Sequence, residues 1–213
     1  MEPNEAHDAE GGIPAGQAPG DVARAETELP LTAGELFDFL HDIERLFRLN
    51  PHLAIERWLP LDEGMRFVAH NDSNDRQVAV AAWVEIVPAA RSIALHYESG
   101  LKQATEFGVE ATDGGARLVV TERYPRIEDP ADPRVADVDK SLVPWVAALR
   151  RHLLARRRWG RLPLLFPLWR WWNERFMLGM PPRSRRIVRL IVWVSALEFA
   201  VFLAAIAVLR VAS

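Results

Sequence analysis

The chain has 213 residues, a net charge of −3 and no cysteine. The absence of cysteine excludes disulfides and fits either a reducing compartment or a disulfide-free periplasmic protein. The charge is unevenly distributed. Residues 1–149 contain 13 basic and 27 acidic side chains, whereas residues 150–213 contain 13 basic and two acidic ones. The basic part therefore indicates an anionic partner, most simply lipid head groups.

The first 23 residues combine glycine, proline, alanine and acidic residues. Such a segment buries too little apolar surface to offset the entropy lost on ordering, so we predict disorder over residues 1–23. Residues 24–158 have the length of one domain with one core. The sequence contains no internal repeat.

The predicted domain opens with an extended piece over residues 25–31 and a helix. Thr32 and Glu35 form a capping-box pattern, and apolar residues follow at helical spacing as far as Phe47. Asn50 precedes Pro51, and proline disfavours the helical conformation in the residue before it. The helical region therefore ends near residue 50.

The middle of the domain changes to a period of two. Four segments alternate apolar and polar residues, namely residues 78–86, 93–97, 105–109 and 118–124. Turn sequences containing proline or glycine separate them, which predicts an antiparallel meander. Then Leu142, Trp145, Val146, Leu149 and Leu153 form one face of a closing helix, with Ser141 as its predicted N-cap and Pro144 in its first turn.

This order of elements resembles the START/polyketide-cyclase (SRPBCC) superfamily. Residues 29–58, LPLTAGELFDFLHDIERLFRLNPHLAIERW, are similar to the start of that family, where a strand leads into paired helices and an Asn-Pro turn. The resemblance covers about residues 24–158 and implies an α+β helix-grip fold, in which a curved antiparallel sheet wraps a long C-terminal helix. It also implies an apolar cavity that binds a lipid, isoprenoid, quinone or polyketide-like molecule, with cyclisation or dehydration in some members.

The strand periodicity selects candidates for that cavity. Glu122 shares the inward parity of Leu118 and Val120, and a buried carboxylate needs a partner or a shifted pKa. Two interpretations stay open: Glu122 and Tyr124 face the cavity, or they lie in solvent at the strand end. The predicted ligand-binding residues are Phe67, Ala82, Val84, Leu95, Tyr97, Thr105, Phe107, Val120, Glu122, Tyr124 and Trp145.

The sequence offers little catalytic chemistry. His52, His70 and His96 are scattered, with His70 and His96 predicted to face away from the core, as is Arg66. No G-x-S-x-G, Walker or G-x-G-x-x-G pattern and no metal-ligand spacing is present. We therefore predict no catalytic residue, no metal and no cofactor, and whether the protein is an enzyme stays open.

Residues 159–186 are rich in arginine and tryptophan, a composition typical of the membrane interface and also of nucleic-acid sites. The apolar stretch that follows favours lipid over nucleic acid, and the prolines predict several short pieces. The predicted interface side chains begin at the end of the domain and are Arg156, Arg157, Arg158, Trp159, Trp169, Trp171 and Trp172.

Residues 187–210 are predicted to span a membrane, because about 20 apolar residues in a helix cross the hydrocarbon core. Four arginines precede the span and one follows it, and residues 1–20 do not resemble a signal peptide. These features predict a tail-anchored, single-pass protein of the inner membrane, with its domain facing the cytoplasm. Glu198 within the span either contacts another membrane protein or is tolerated there.

Three functions remain open. The domain binds and holds or transfers a hydrophobic small molecule, acts as an enzyme on such a molecule, or docks as an accessory subunit on a membrane complex. We favour the first, because inward small residues such as Ala69 and Ala82 leave room for a ligand.

Overall fold

The computed structural model describes residues 20–129 and 131–212. Seven strands form one antiparallel sheet in the order β1-β7-β6-β5-β4-β3-β2. The strands are β1 Asp21–Leu29, β2 Leu53–Leu61, β3 Gly64–Asn71, β4 Arg76–Val87, β5 Ser92–Tyr97, β6 Ala104–Thr112 and β7 Gly115–Tyr124. The helices are α1 Ala33–Leu40, α2 Ile43–Arg48, α3 Leu142–Gly160, α4 Phe166–Arg170 and α5 Pro182–Ala212, with a π-helical turn at Trp171–Met177.

The helical layer before β2 follows the sequence pattern closely. Glu35 N donates to Thr32 Oγ1 at 3.2 Å and Thr32 N donates to Glu35 Oε2 at 2.8 Å, which confirms the predicted capping box. The helical run is divided at residues 41–42, because Asp42 caps a second helix by accepting from Arg45 N. The result is the pair of short helices that the resemblance implies.

Helix α3 packs across the sheet through the predicted face. Its buried residues are Leu142, Trp145, Val146, Leu149 and Leu153. Ser141 occupies the N-cap position, but its side chain makes no capping bond. Instead its Oγ accepts from Asn50 Nδ2 at 2.7 Å, which joins the start of α3 to the α2–β2 turn. Ser141 is thus at the predicted N-cap position, but its side chain makes this contact in place of a capping bond.

The two ends of the predicted domain differ slightly from its observed elements. Asp21, Val22 and Ala23 belong to β1 and pair with β7, although the sequence placed them in the disordered segment. Residues 1–19 lie outside the described part of the chain. At the other end, α3 continues two residues past the predicted boundary, to Gly160.

The C-terminal segment is bound to the domain and does not simply trail from it. Arg185 donates to the carbonyls of Arg48, Leu178 and Met180. Glu174 in the π-helical turn accepts from Arg156 of α3 at 3.0 Å and lies 3.6 Å from Arg45 of α2. These contacts fix where α5 begins relative to the domain.

Helix α5 is the one helix in the described residues that is long and apolar enough to cross a membrane, over Pro182–Arg210. None of its most apolar window is buried against the domain. Two prolines of this region lie at helix starts: Pro167 is in the first turn of α4 and Pro182 is the first residue of α5. This agrees with the favoured place of proline in a first helical turn.

Candidate functional site

A cavity of about 320 Å³ lies between α3, α2 and one end of the sheet. Its apolar walls come from both layers: Trp145 from α3, Phe47 from α2, and Leu53, Phe67, Val78 and Val80 from the sheet. Trp145 is fixed because its Nε1 donates to the Leu46 carbonyl at 2.7 Å. The volume lies at the lower end of the range of about 300–1,000 Å³ typical of small-molecule sites.

The polar part of the cavity is centred on Lys102, in the loop between β5 and β6. Lys102 Nζ donates to Glu122 Oε1 and, at 2.9 Å, to Asp139 Oδ2. Tyr124 donates to the other Glu122 oxygen at 2.7 Å. Glu122 is fully buried, whereas the Lys102 and Asp139 side chains are 18% and 16% exposed and both line the cavity.

Within this cluster, Lys102 and Asp139 hold each other in the ionised state. Burial alone would lower the pKa of Lys102, but Glu122 and Asp139 outweigh it and raise the pKa well above its usual value. For Asp139, burial acts to raise the pKa, whereas Lys102 and two hydrogen bonds from Ser141 lower it below its usual range. Lys102 and Asp139 are therefore both charged near neutral pH.

Two tyrosines lie beside this cluster, and one of them, Tyr97, reaches the cavity. Tyr97 lines the cavity, and its hydroxyl forms a 2.9 Å hydrogen bond with Thr105 Oγ1. Burial raises the pKa of Tyr97, and it raises the pKa of Tyr124 as well. Both phenols are therefore neutral at physiological pH and act as hydrogen-bonding groups.

One side of the cavity is bordered by contacts between the β3–β4 turn and the loop before α3. Ser73 Oγ donates to Asp139 Oδ1 at 3.1 Å, and Asn74 Nδ2 donates to the Asp137 carbonyl at 3.0 Å. Asn74, Asp137 and Asp139 all line the cavity.

The structure divides the eleven predicted cavity residues into two groups. Phe67, Tyr97 and Trp145 line the cavity. The others are packed in or against the core away from this cavity: Ala82, Val84, Leu95, Thr105, Phe107, Val120, Glu122 and Tyr124. Glu122 and Tyr124 are buried, so the solvent-exposed interpretation of the strand end is wrong.

Sequence reasoning missed Lys102 and Asp139. Both lie in irregular loops, where side-chain periodicity gives no direction, and they are 37 residues apart. The available signal was Glu122 itself, because an inward carboxylate requires a cationic or hydrogen-bonding partner. Lys102 is near the start of the strand that pairs with β7, which made it a reasonable partner.

The predicted interface residues are likewise divided. Trp171 is exposed, as are Arg157 and Arg158, whereas Trp159 and Trp172 are partly buried. Trp169 is buried beside His152, with 5.6 Å between the ring centroids. Arg156 is paired with Glu174.

Comparison with solved structures identifies the fold. The protein TTHA0849 from Thermus thermophilus is 14% identical with a TM-score of 0.50, over 63% of this chain and 98% of that one. A START superfamily protein from Mycobacterium smegmatis is 17% identical with a TM-score of 0.43, over 68% of this chain and 98% of that one. The di-domain ARO/CYC protein BexL is 21% identical with a TM-score of 0.47, over 62% of this chain and 45% of that one.

No family model and no curated protein matches the sequence. The predicted helix-grip fold is confirmed by the seven-stranded antiparallel sheet and the long helix α3 packed across it. At these identities the comparisons establish the fold alone.

Proposed function

We propose that this protein is a membrane-tethered module that binds a hydrophobic small molecule in the helix-grip cavity and holds or transfers it at the bilayer surface. The cavity itself carries the proposal: apolar walls from α3 and the sheet surround about 320 Å³, with a few polar groups at one end. This composition is typical of small-molecule sites. Lipid, isoprenoid, quinone and polyketide-like molecules all match it.

The charges favour a ligand whose polar group is neutral. One ammonium group, Lys102, faces two carboxylates, Glu122 and Asp139, so the cluster has one negative charge in excess. A ligand carboxylate would be repelled by that excess, whereas a hydroxyl, carbonyl or quinone oxygen could accept hydrogen bonds from Lys102 and Tyr97. We therefore favour an alcohol, quinone or similar ligand over a fatty acid.

The same cluster favours binding over catalysis. General acid–base catalysis is most effective when the pKa of the catalytic group lies near the working pH. Here the pKa of Lys102 is raised and that of Asp139 is lowered, so both move away from neutrality. Their mutual contacts stabilise the polar end of the cavity and orient a ligand there.

Membrane tethering rests on α5 and on the surface beside it. Several apolar side chains near the start of α5 are exposed, including Leu164 at 93%, and Leu165, Leu168, Trp171 and Phe176. Exposed apolar groups next to arginines are typical of an interfacial segment lying against anionic lipids. The arginines before the span favour a domain on the cytoplasmic side of an inner membrane.

The structure also relates the cavity to the proposed anchor. Arg183, in the first turn of α5, donates to both carboxylate oxygens of Asp72 at 3.0 and 3.3 Å. Asp72 lies beside Ser73 and Asn74, whose hydrogen bonds to Asp139 and Asp137 border the cavity. This side of the cavity is thus connected to the start of α5, which supports direct exchange of an apolar ligand with the bilayer.

The test is a cavity-filling variant with a matched control. Val80→Trp places an indole in the cavity, whereas Ala81→Trp adds the same group on the opposite face of β4. In the full chain reconstituted in nanodiscs, Val80→Trp should abolish binding of a pyrene-labelled fatty alcohol and Ala81→Trp should retain it. The matching fatty acid should bind the wild type about tenfold more weakly. Equal alcohol binding by both variants would contradict the proposal.

A second function, docking on a membrane complex, is favoured by one observation. Glu198 is exposed on α5, and an unpaired acid within a span costs about 2.5–3.5 kcal/mol on insertion scales. A polar group on another membrane protein or on a second copy of this chain would reduce that cost. Glu198→Ala should then convert a larger detergent-solubilised species to a monomer, while an unchanged size would remove this function.

A further inference from the structure

A second pocket, of about 360 Å³, lies where α3, the π-helical turn and the start of α5 meet. It does not belong to the helix-grip cavity, from which the α2–β2 turn separates it. The residues on which its chemistry depends are Arg151, His152, Asn173, Arg185, Arg186 and Arg189.

The pocket is strongly basic. Four arginines line it and no carboxylate does. Arg185 is occupied by three backbone carbonyls, but Arg151, Arg186 and Arg189 form no ion pair within residues 20–129 and 131–212. His152 is only 9% exposed, and its Nε2, 3.5 Å from Glu174, has no hydrogen-bond partner. Unpaired arginines around a recess are suited to an anion, above all a phosphate group.

An apolar groove of about 540 Å³ continues from this pocket. The two recesses share Trp169, Asn173 and Arg189. The groove runs beside the first apolar turns of α5 and is lined mainly by Leu165, Leu168, Trp172, Val192 and Trp193. A basic pocket joined to an apolar groove matches a molecule that has an anionic head and a hydrocarbon chain.

The position of the two recesses along α5 agrees with that match. Arg186 and Arg189 lie immediately before the apolar stretch that begins at residue 190, whereas Val192 and Trp193 lie within it. In a membrane-spanning helix the first pair would be at the level of the phosphates and the second pair at the acyl chains. A phospholipid standing beside α5 would present its phosphate and its chain at those two levels.

We propose that one anionic phospholipid binds here, with its phosphate in the basic pocket and an acyl chain along the groove. This site differs from the general attraction of surface arginines to an anionic leaflet, because it is saturable and takes one lipid. Since Arg185, Glu174 and Trp169 already hold the surrounding elements together, the lipid would fix the orientation of the domain at the membrane. The inference rests on the proposed membrane anchoring of α5.

The experiment is lipid titration of the full chain in a neutral detergent, read by native mass spectrometry. With dioleoylphosphatidylglycerol, the wild type should retain a single saturable adduct, and dioleoylphosphatidylcholine should bind at least tenfold more weakly. Arg186→Gln/Arg189→Gln should weaken phosphatidylglycerol binding by about tenfold or more. The matched control Arg157→Gln/Arg158→Gln removes the same charge from exposed positions outside the pocket and should bind like the wild type.

Two further arms separate the source of the anion and the role of the groove. Inorganic phosphate at millimolar concentration should not displace the lipid. Leu168→Gln should weaken binding of dioleoylphosphatidylglycerol more than binding of dihexanoylphosphatidylglycerol, because Leu168 lines the groove. Equal losses in the two arginine double variants would overturn the inference in favour of diffuse charge. Displacement by phosphate would overturn it in favour of a free-phosphate site.

The outcome is distinguishable from failure of the proposed function. Arg186→Gln/Arg189→Gln should remain in the membrane fraction and still bind the pyrene-labelled alcohol, because neither residue lines the helix-grip cavity. Recovery of the wild type as a soluble protein would contradict the membrane anchoring. Alcohol binding by Val80→Trp tests the helix-grip cavity alone, because Val80 does not line the basic pocket.

Discussion

The two pockets beside the α2–β2 turn have similar volumes, about 320 and 360 Å³, and opposite charge. The helix-grip cavity has one lysine facing two carboxylates, whereas the pocket at the start of α5 has four arginines and no acid. Volume therefore says little about the ligand, and the charge balance distinguishes a neutral apolar molecule from an anionic lipid. The START-like resemblance indicates only the first site, because the second is built largely by residues after the domain.

The largest effect is expected from removing the cation of the helix-grip cavity. Lys102→Met leaves Glu122 fully buried without its counter-charge, which should lower the free energy of unfolding by about 3–5 kcal/mol. Thermal and urea unfolding, followed by circular dichroism, measures this. Adding Glu122→Gln to the same chain should recover most of the lost free energy of unfolding. A decrease below about 1 kcal/mol in the single variant would contradict the role assigned to Lys102.

A second prediction compares two positions on the same face of β4. Ala82 is 3% exposed in the packed core, whereas Val80 lines the cavity. Ala82→Trp should overpack the core and cost about 1–3 kcal/mol or more, while Val80→Trp should cost less because the indole enters empty space. Differential scanning calorimetry of both variants tests this, and an equal loss of stability would indicate that the cavity is not open.

The acid limb of the stability profile sharpens the contrast further. The pKa of Asp139 is lower in the folded protein than its usual value near 3.9. The ionised Asp139 side chain therefore contributes fully to the free energy of unfolding above that value, and this contribution is lost as the pH falls through the folded pKa. Wild-type unfolding free energy should therefore decrease as the pH falls below about 4. Asp139→Asn should show a shallower decrease, and parallel profiles would refute the contribution of this carboxylate.

The smallest expected effect concerns the surface beside α5. The chain has no cysteine, so Leu164→Cys and Asp113→Cys each give a single labelling site. An environment-sensitive fluorophore at exposed Leu164 should shift to shorter wavelengths in anionic bilayers, whereas the label at Asp113, in the β6–β7 turn, should not. Identical spectra at the two positions would place residues 159–186 away from the interface.

The sequence predicted those features that depend on a regular period. The buried face of α3, the inward direction of Glu122 and the capping box at Thr32 follow from spacing alone, and each is present. Strand β2 was not predicted, because its register shifts between Ile55 and Arg57 and this irregularity interrupts the alternation. Its Pro60 is tolerated because β2 is an edge strand.

The parts that escaped prediction depend on contacts between distant residues. The cavity lies at one end of the sheet, where Asn71, Lys102 and Asp139 meet from three separate loops or strand ends, while the mid-strand positions chosen by parity are packed. Likewise, Trp169 contacts His152 because the chain reverses direction after α3, and no local sequence pattern predicts this contact. The same reversal brings α3 and the start of α5 together to form the basic pocket.

The central claim is that the helix-grip cavity carries an apolar ligand with a neutral polar group. The most direct measurement is mass spectrometry of organic extracts from the full chain and from Val80→Trp, purified from the same cells in parallel. We expect one apolar compound without a carboxylate in the wild-type extract, near one equivalent per chain, and its loss from the Val80→Trp extract while co-purified phospholipid is unchanged. Identical extracts from the two proteins, or a fatty acid as the specific compound, would contradict the claim.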